Sequence, residues 1–278
     1  MVEFPKRVDI MPTAHCNLNC PFCWGPDHSI KDGLNTDQWF LIIASLCKQG
    51  TTDIVFTGGE PLIRPDIKTL MMVSHLLGFN VTLSTNCLLL SNITQQSPNV
   101  LDYTHEIGIP IDGSTIERNN TLRIGSPKQF NSAISTLSMI QAQYPQIHTT
   151  IRTVVTQQNI DDISNIGTLV SSLKPDRWKL YEFVAIGEGL VNANFLAVST
   201  EQFTDLVSNL ANKHPELLIE GQSSSIQSEK YLFVGPHGDF YSIGKSLEHI
   251  PLGNPLEIGE EVIERVQTHF SENLISSA

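Results

Sequence analysis

Cys16-Asn17-Leu18-Asn19-Cys20-Pro21-Phe22-Cys23 is the stretch on which the reading of this chain turns. Three cysteines stand in a C-x3-C-x2-C array, directly after a short apolar run at 8–11. Thiolates are soft ligands that suit iron–sulfur clusters and zinc. A structural zinc ion or a fully ligated cubane takes four protein ligands. The array offers three, so a metal held here would keep a position open to something that is not protein. The plain alternative is a zinc knuckle, with His15 or His28 as the fourth ligand.

A chain of 278 residues, 40% hydrophobic and 17% charged, reads as a soluble globular protein able to bury one large α/β core. No apolar stretch approaches the roughly 20 residues of a membrane helix. The start lacks a signal-peptide hydrophobic region. The expected address is cytoplasmic, with no membrane partner. Lys plus Arg is 17 against 29 for Asp plus Glu, a net charge of −12. That balance disfavours nucleic acid as a partner. Five cysteines, three of them clustered, argue against a disulfide framework. Cys47 and Cys87 read as ordinary buried or half-buried thiols.

Strand and helix patterns alternate along the chain, which predicts βα units and a parallel sheet. Strands are expected at 8–14, 53–56, 80–84, 103–111, 148–155 and 178–184, with a further one at 217–219. Helices are expected at 36–49, 66–77, 92–97, 126–143, 160–173 and 200–213, the first capped by Thr36 and closed by Gly50. A hairpin is expected from 230–234 and 239–243 around Gly235-Pro236-His237-Gly238. The motifs fall just after strands, on the face where barrels of this kind keep their chemistry. The second motif, Thr57-Gly58-Gly59-Glu60-Pro61, follows the strand at 53–56.

The two motifs together resemble the radical S-adenosylmethionine (radical SAM) superfamily, with its CxxxCxxC array, an aromatic residue before the last cysteine (Phe22) and a GGE(P) loop. The resemblance implies a partial (βα)6 TIM-like barrel, with a core at 1–190 and a C-terminal helix and hairpin extension at 191–278 packed on it. It implies a 4Fe–4S cluster on Cys16, Cys20 and Cys23, whose open iron chelates SAM. Phe22, Gly58, Gly59, Glu60, Ser84, Asn86 and Arg123 would line the SAM site. Asp112-Gly113-Ser114 resembles the family's run after the fourth strand, and Arg123 an arginine that pairs with the SAM carboxylate. The implied reaction is reductive cleavage of SAM to a 5′-deoxyadenosyl radical, which takes hydrogen from a small-molecule substrate. An electron donor such as flavodoxin or ferredoxin is the implied protein partner. Tyr181, Tyr241, Asp112 and Glu182 are candidate proton donors or acceptors by location.

In the second half, Pro175-Asp176-Arg177-Trp178-Lys179 resembles the P-x-R-W-K segment of viperin and its prokaryotic relatives. That resemblance implies a nucleoside triphosphate held by Arg152, Arg177 and Lys179, with Tyr241 nearby. The alternative substrates are a peptide, a sugar or another natural-product intermediate. The alternative of another class is a non-catalytic iron–sulfur or metal-binding scaffold. No cysteine follows Cys87, so no auxiliary cluster with cysteine ligands is expected in the second half.

Overall fold

The computed structural model describes residues 4–25, 27, 29–94, 97–227 and 231–276. Among them the strands form one ten-stranded sheet in the order β10-β9-β8-β1-β2-β3-β4-β5-β6-β7. These strands are β1 (Arg7–Ile10), β2 (Asp53–Phe56), β3 (Asn80–Ser84), β4 (Glu106–Pro110), β5 (His148–Val155), β6 (Arg177–Glu182), β7 (Ile219–Gln222), β8 (Leu232–Val234), β9 (Phe240–Ile243) and β10 (His249–Gly253). The run from β1 to β7 is parallel throughout, and β8 adds to the free edge of β1 in the same direction. The fold is a mixed α/β partial barrel with helices on its outer face. No described helix is long and apolar enough to cross a membrane.

Alternation along the strands divides the sheet into two chemically distinct faces. Val8 and Ile10 pair with Ile54 and Phe56, and these with Val81 and Leu83. Ile107, Ile109, Ile151, Trp178 and Leu180 continue the same apolar face, all fully buried. The helices cover it. Thr36–Lys48 buries Trp39, Ile42, Ile43 and Leu46, the i, i+3, i+4, i+7 stripe of an amphipathic helix. The opposite, concave face carries Arg7, Asp9, Thr82, Glu106, Thr150, Arg152, Arg177 and Lys179. A polar interior face is what lets the barrel hold a site.

Several expected boundaries move for local reasons. Asn35, not Thr36, caps the first helix: its side chain accepts from Gln38 N, and Gln38 returns the bond to its backbone. Thr36 instead donates to Asp66 Oδ2 at 2.5 Å. The first strand ends at Ile10, because residues 11–14 turn to meet the loop after β2. The fourth strand starts at Glu106, because Asn99 caps a 3-10 turn over Val100–Tyr103. The helix expected at 126–143 starts at Gln129, and a short separate helix, Ile116–Asn120, precedes it. The expected strand at 217–219 lies at β7, two residues later, and the turn of the expected hairpin closes by Gly235 N donating to Asp239 O at 2.9 Å. Lys230, expected to start that hairpin, lies outside the described residues. Besides several short helical turns, β10 and the helix Glu261–Ser276, which buries Val262 and Val266, had no sequence-based counterpart.

Thr153 ties two strands together under the apolar layer. Its hydroxyl donates to Ile111 O at 2.6 Å and accepts from Trp178 Nε1 at 2.9 Å, with all three residues fully buried. Thr153→Val keeps the shape but orphans a buried carbonyl and an indole N–H, which costs about 2 kcal/mol. Urea unfolding should show a lower midpoint with an unchanged slope. An unchanged midpoint would mean that solvent reaches these groups.

Candidate active site

The loops after β1, β2 and β3 meet at the carboxyl end of the sheet. Gly59 N donates to Thr13 O at 3.0 Å and Glu60 N to His15 O at 2.7 Å. This approach is too close for side chains. A Cβ on Gly59 would come 2.5 Å from the Ala14 carbonyl oxygen, and Gly58 has φ +116°. Glu60 then closes the junction from the other side. It is 1% exposed. Its Oε1 accepts from Leu62 N at 3.1 Å and Thr85 Oγ1 at 2.8 Å, and its Oε2 from Asn86 N at 2.7 Å. Burial pushes its carboxyl up to about 7, against the pull of those bonds. Asn86 reaches back to the cysteine loop, donating to Asn17 Oδ1 at 2.6 Å and lying 4.0 Å from Cys16 Sγ.

Cys16, Cys20 and Cys23 line one cavity. Leu18, Phe22, Leu122, Phe183 and Leu196 wall them in with apolar surface. Burial pushes the Cys20 thiol up to about 12, and Cys16 and Cys23 upward too. Such thiols stay protonated near neutral pH unless a metal takes the proton's place. Among the described residues, no three His, Cys, Asp or Glu side chains gather at the spacing of a single ion. A zinc ion needs sulfurs at about 2.3 Å from one centre. Three thiols facing one cavity are soft ligands that suit an iron–sulfur cluster with one position left open. His15 is exposed, and His28 lies outside the described residues.

Arg123 stands over this loop. Its Nε donates to Asp112 Oδ2 at 2.5 Å, its Nη1 lies 4.0 Å from Cys20 Sγ, and its guanidinium sits 4.9 Å above the Phe22 ring. Burial opposes its charge, but the Asp112 carboxylate beside it holds its pKa above the ordinary value. Gly113 packs against the backbone of Arg118 and Asn119. Asp112 is fully buried and also accepts from Val154 N at 2.8 Å.

The cavity continues down to a charged floor of Arg7, Asp9, Arg152 and Lys179, with Ser84, Tyr181 and Tyr231 on its walls. Arg7 Nε lies 3.6 Å from Asp9 Oδ1. Arg152 bonds Ser84 Oγ at 2.9 Å and lies 3.7 Å from Glu106. Arg177 pairs with Glu106 at 3.5 Å and Glu220 at 3.2 Å, and Lys179 with Glu220 at 3.4 Å. Burial opposes the Glu106 charge, yet Arg152, Arg177 and Lys179 hold its pKa below the usual carboxylate value. Arg7 Nε, Asp9 Oδ1 and Arg152 Nε and Nη2 are buried without a hydrogen-bond partner among the described residues.

Of the residues singled out from the sequence, Phe22, Gly58, Gly59, Glu60, Ser84, Asn86, Arg123, Arg152, Lys179, Tyr181 and Glu182 line the same cavity as the three cysteines. Glu182 is occupied, accepting from Thr200 Oγ1 and Ser224 N. Asp112 lies behind Arg123. Arg177 sits one layer below the lining, held by its two acids. Tyr241 stands behind Met11, donating to its sulfur at 3.4 Å, with its ring stacked between Phe233 and His249. Tyr231 takes the cavity position instead. Arg7, Asp9, Trp24 and Tyr231 were not anticipated. The signal for the first two was available: two charged residues alternate with Val8 and Ile10 on the strand that feeds the cysteine loop.

Residues 10–170 match the family model described as the Radical SAM superfamily. The chain is 27% identical over 236 residues to an S-adenosylmethionine-dependent nucleotide dehydratase of Flammeovirga pacifica, covering 82% of this chain and 79% of that protein. It is 29% identical over 198 residues to an AdoMet-dependent heme synthase of Methanosarcina barkeri, covering 68% of this chain but only 54% of the relative. Among solved structures, anSMEcpe with bound AdoMet superposes with a TM-score of 0.73 over 95% of this chain and 82% of that one, at 17% identity. That last likeness speaks to fold alone.

The raised pKa of Glu60 has a signed consequence. Between its ordinary 4.5 and about 7 the folded protein binds more protons than the unfolded chain. The Glu60 contribution is therefore greatest below that window and falls as pH rises through it. Urea unfolding of the metal-free protein and of Glu60→Gln, measured from pH 4.5 to 7.5, should give a stability difference that shrinks with rising pH. A difference that stays constant across that range would show that Glu60 ionises normally.

Proposed function

The chain belongs to the radical SAM superfamily, and from that premise we propose that it is an enzyme acting on a small polar substrate seated on the floor of the barrel. The observation that carries the reading is the shared cavity: thiol loop, glycine loop and charged floor all open onto it. When bound, the cluster and SAM supply one-electron reductive cleavage and hydrogen abstraction. Cys16, Cys20 and Cys23 would hold the cluster. Gly58 and Gly59 let backbone approach SAM, Ser84 and Asn86 offer polar contacts, and Arg123 offers a cation to its carboxylate. Glu60 acts by locking the loops around SAM. Phe22, Leu122 and Phe183 exclude water from the thiol end. A small electron donor such as flavodoxin or ferredoxin would feed the cluster.

The floor supports a substrate of mixed charge. Arg7, Arg152, Arg177 and Lys179 each have an acid partner among Asp9, Glu106 and Glu220, so little net positive charge remains for a bare polyphosphate. Arg7 and Arg152 can still donate, and Asp9 can still accept. A peptide, sugar or other natural-product intermediate with both an acidic group and hydrogen-bond donors fits that pattern. The relative named as a heme synthase also lies outside nucleotide chemistry. The second reading, a nucleoside triphosphate, is supported by the Pro175–Lys179 run and by the nucleotide dehydratase that this chain matches over most of its length.

The test is 5′-deoxyadenosine formation, followed by mass spectrometry after anaerobic reconstitution with iron and sulfide, then dithionite and SAM. The four ribonucleoside triphosphates, short acidic and basic peptides and sugar phosphates form the panel. Wild-type protein should cleave SAM slowly alone and at least ten times faster with one class, and Cys16→Ala should abolish both. Stimulation by a triphosphate would select the second substrate reading. Cleavage that survives Cys16→Ala would overturn the enzyme reading itself.

A further inference from the structure

We propose that the Arg123–Asp112 ion pair sets the reduction potential of the cluster through Cys20. This rests on the cluster reading above and goes beyond the contact between Arg123 and SAM. The three thiols are not equivalent in their surroundings. Cys16 Sγ accepts from Leu18 N at 3.4 Å and has the neutral Asn86 amide at 4.0 Å. The Gly25 backbone N–H donates to Cys23 and favours its thiolate form. Among the described residues, Cys20 alone of the three has a charged donor at hydrogen-bonding range, Arg123 Nη1 at 4.0 Å. Hydrogen bonds to ligand sulfurs and nearby charge are the levers by which a protein moves the potential of an iron–sulfur centre.

The guanidinium is held in that position from two sides, and the backbone of its residue is tied as well. Asp112 takes Nε at 2.5 Å, Phe22 lies beneath its plane, and its backbone N bonds Asn119 O at 2.9 Å. Asp112 is fixed in turn by Val154 N, and its own N by Asn119 Oδ1 at 3.0 Å. Asn119 is clamped by Gln129 at 2.7 Å, which spans to Pro110 O. The Arg123 side chain is 15% exposed and Asp112 is 0% exposed, so solvent screens neither charge strongly. A fixed cation beside Cys20 stabilises the more negative, reduced state. The carboxylate behind it offsets part of that effect. The two residues therefore pull the potential in opposite directions, and their balance sets it.

The measurement is the midpoint potential of the reconstituted cluster, by EPR-monitored dithionite titration without SAM, with iron and sulfide content as the loading control. Arg123→Gln should shift the midpoint to more negative values, and Asp112→Asn to more positive ones. Arg123→Lys should lie between wild type and Arg123→Gln. Shifts of the same sign in the Gln and Asn variants, or no shift in either, would overturn the proposal. If Asp112→Asn fails to load, the arginine series decides: a lysine variant no higher than the glutamine one would overturn it. Wild-type protein that takes up no iron would instead sink the cluster reading on which the proposal rests.

Discussion

The buried carboxylate of Glu60 is the constraint on which the upper half of the cavity depends. One residue joins three loops that are far apart in sequence. Its backbone N is bonded to the cysteine loop, and its two oxygens draw in its own turn and the Thr85–Asn86 loop. Such a junction works only where the chain carries no side chains to hold it open, hence Gly58 and Gly59 immediately before it. Burying a carboxyl is expensive unless its lone pairs are satisfied, and three donors satisfy this one. The rise of its pKa to about 7 is the residue of that cost. The same lacing fixes Asn86, and through it the Asn17 end of the cysteine loop.

Below that junction a second polar cluster is built on different terms. Its members come from β1, β4, β5, β6 and β7, and they meet only because parallel strands align them in register. Charge pairs buried in this way contribute little to stability beyond offsetting their own desolvation. Arg7, Asp9 and Arg152 also keep buried polar atoms whose opposite charges lie beyond hydrogen-bond distance. A sequence selected for stability alone would put apolar side chains there, as it does on the other face of the same strands. A charged interior against an apolar exterior is what a ligand site needs.

These two regions differ in how far the sequence discloses them. The cysteine loop, the GGEP loop and the strands at 53–56, 80–84 and 148–155 are local features, written in adjacent residues. The helix Thr200–Lys213 is equally local, opened by the Ser199 cap and its reciprocal Gln202 bond. The floor is not local. Glu106 meets Arg177 across about seventy positions, and nothing near either residue announces the other. Spacing within the P-x-R-W-K run marks Lys179 and Arg177 as basic but is silent on Glu106 and Glu220, which pair with them. Tyr241 illustrates the same limit: a hairpin is legible from its turn, but which of its tyrosines reaches the cavity depends on how β8 docks on β1. The helix Glu261–Ser276 carries a readable stripe at Val262, Val266 and Phe270, yet it has no strong opening or closing residue to set it apart from a charged tail.

The two ends of the cavity are thus carried by different parts of the barrel. Thiols and their supporting loops sit on the first three strands, and most of the floor on β4 to β7. A substitution at Arg152 or Glu220 changes what the floor accepts without touching a bond that positions the cysteines. Substitutions at Gly59 or Glu60 disturb every loop at once. Proteins built this way can keep one radical-generating end while the floor diverges. Arg123 joins Arg7 and Asp9 on β1 and the Arg152–Ser84 bond in linking the halves. It reaches Cys20 from the loop after β4 and is anchored by Asp112 to β5, so the strands that supply the floor also hold the cation beside Cys20.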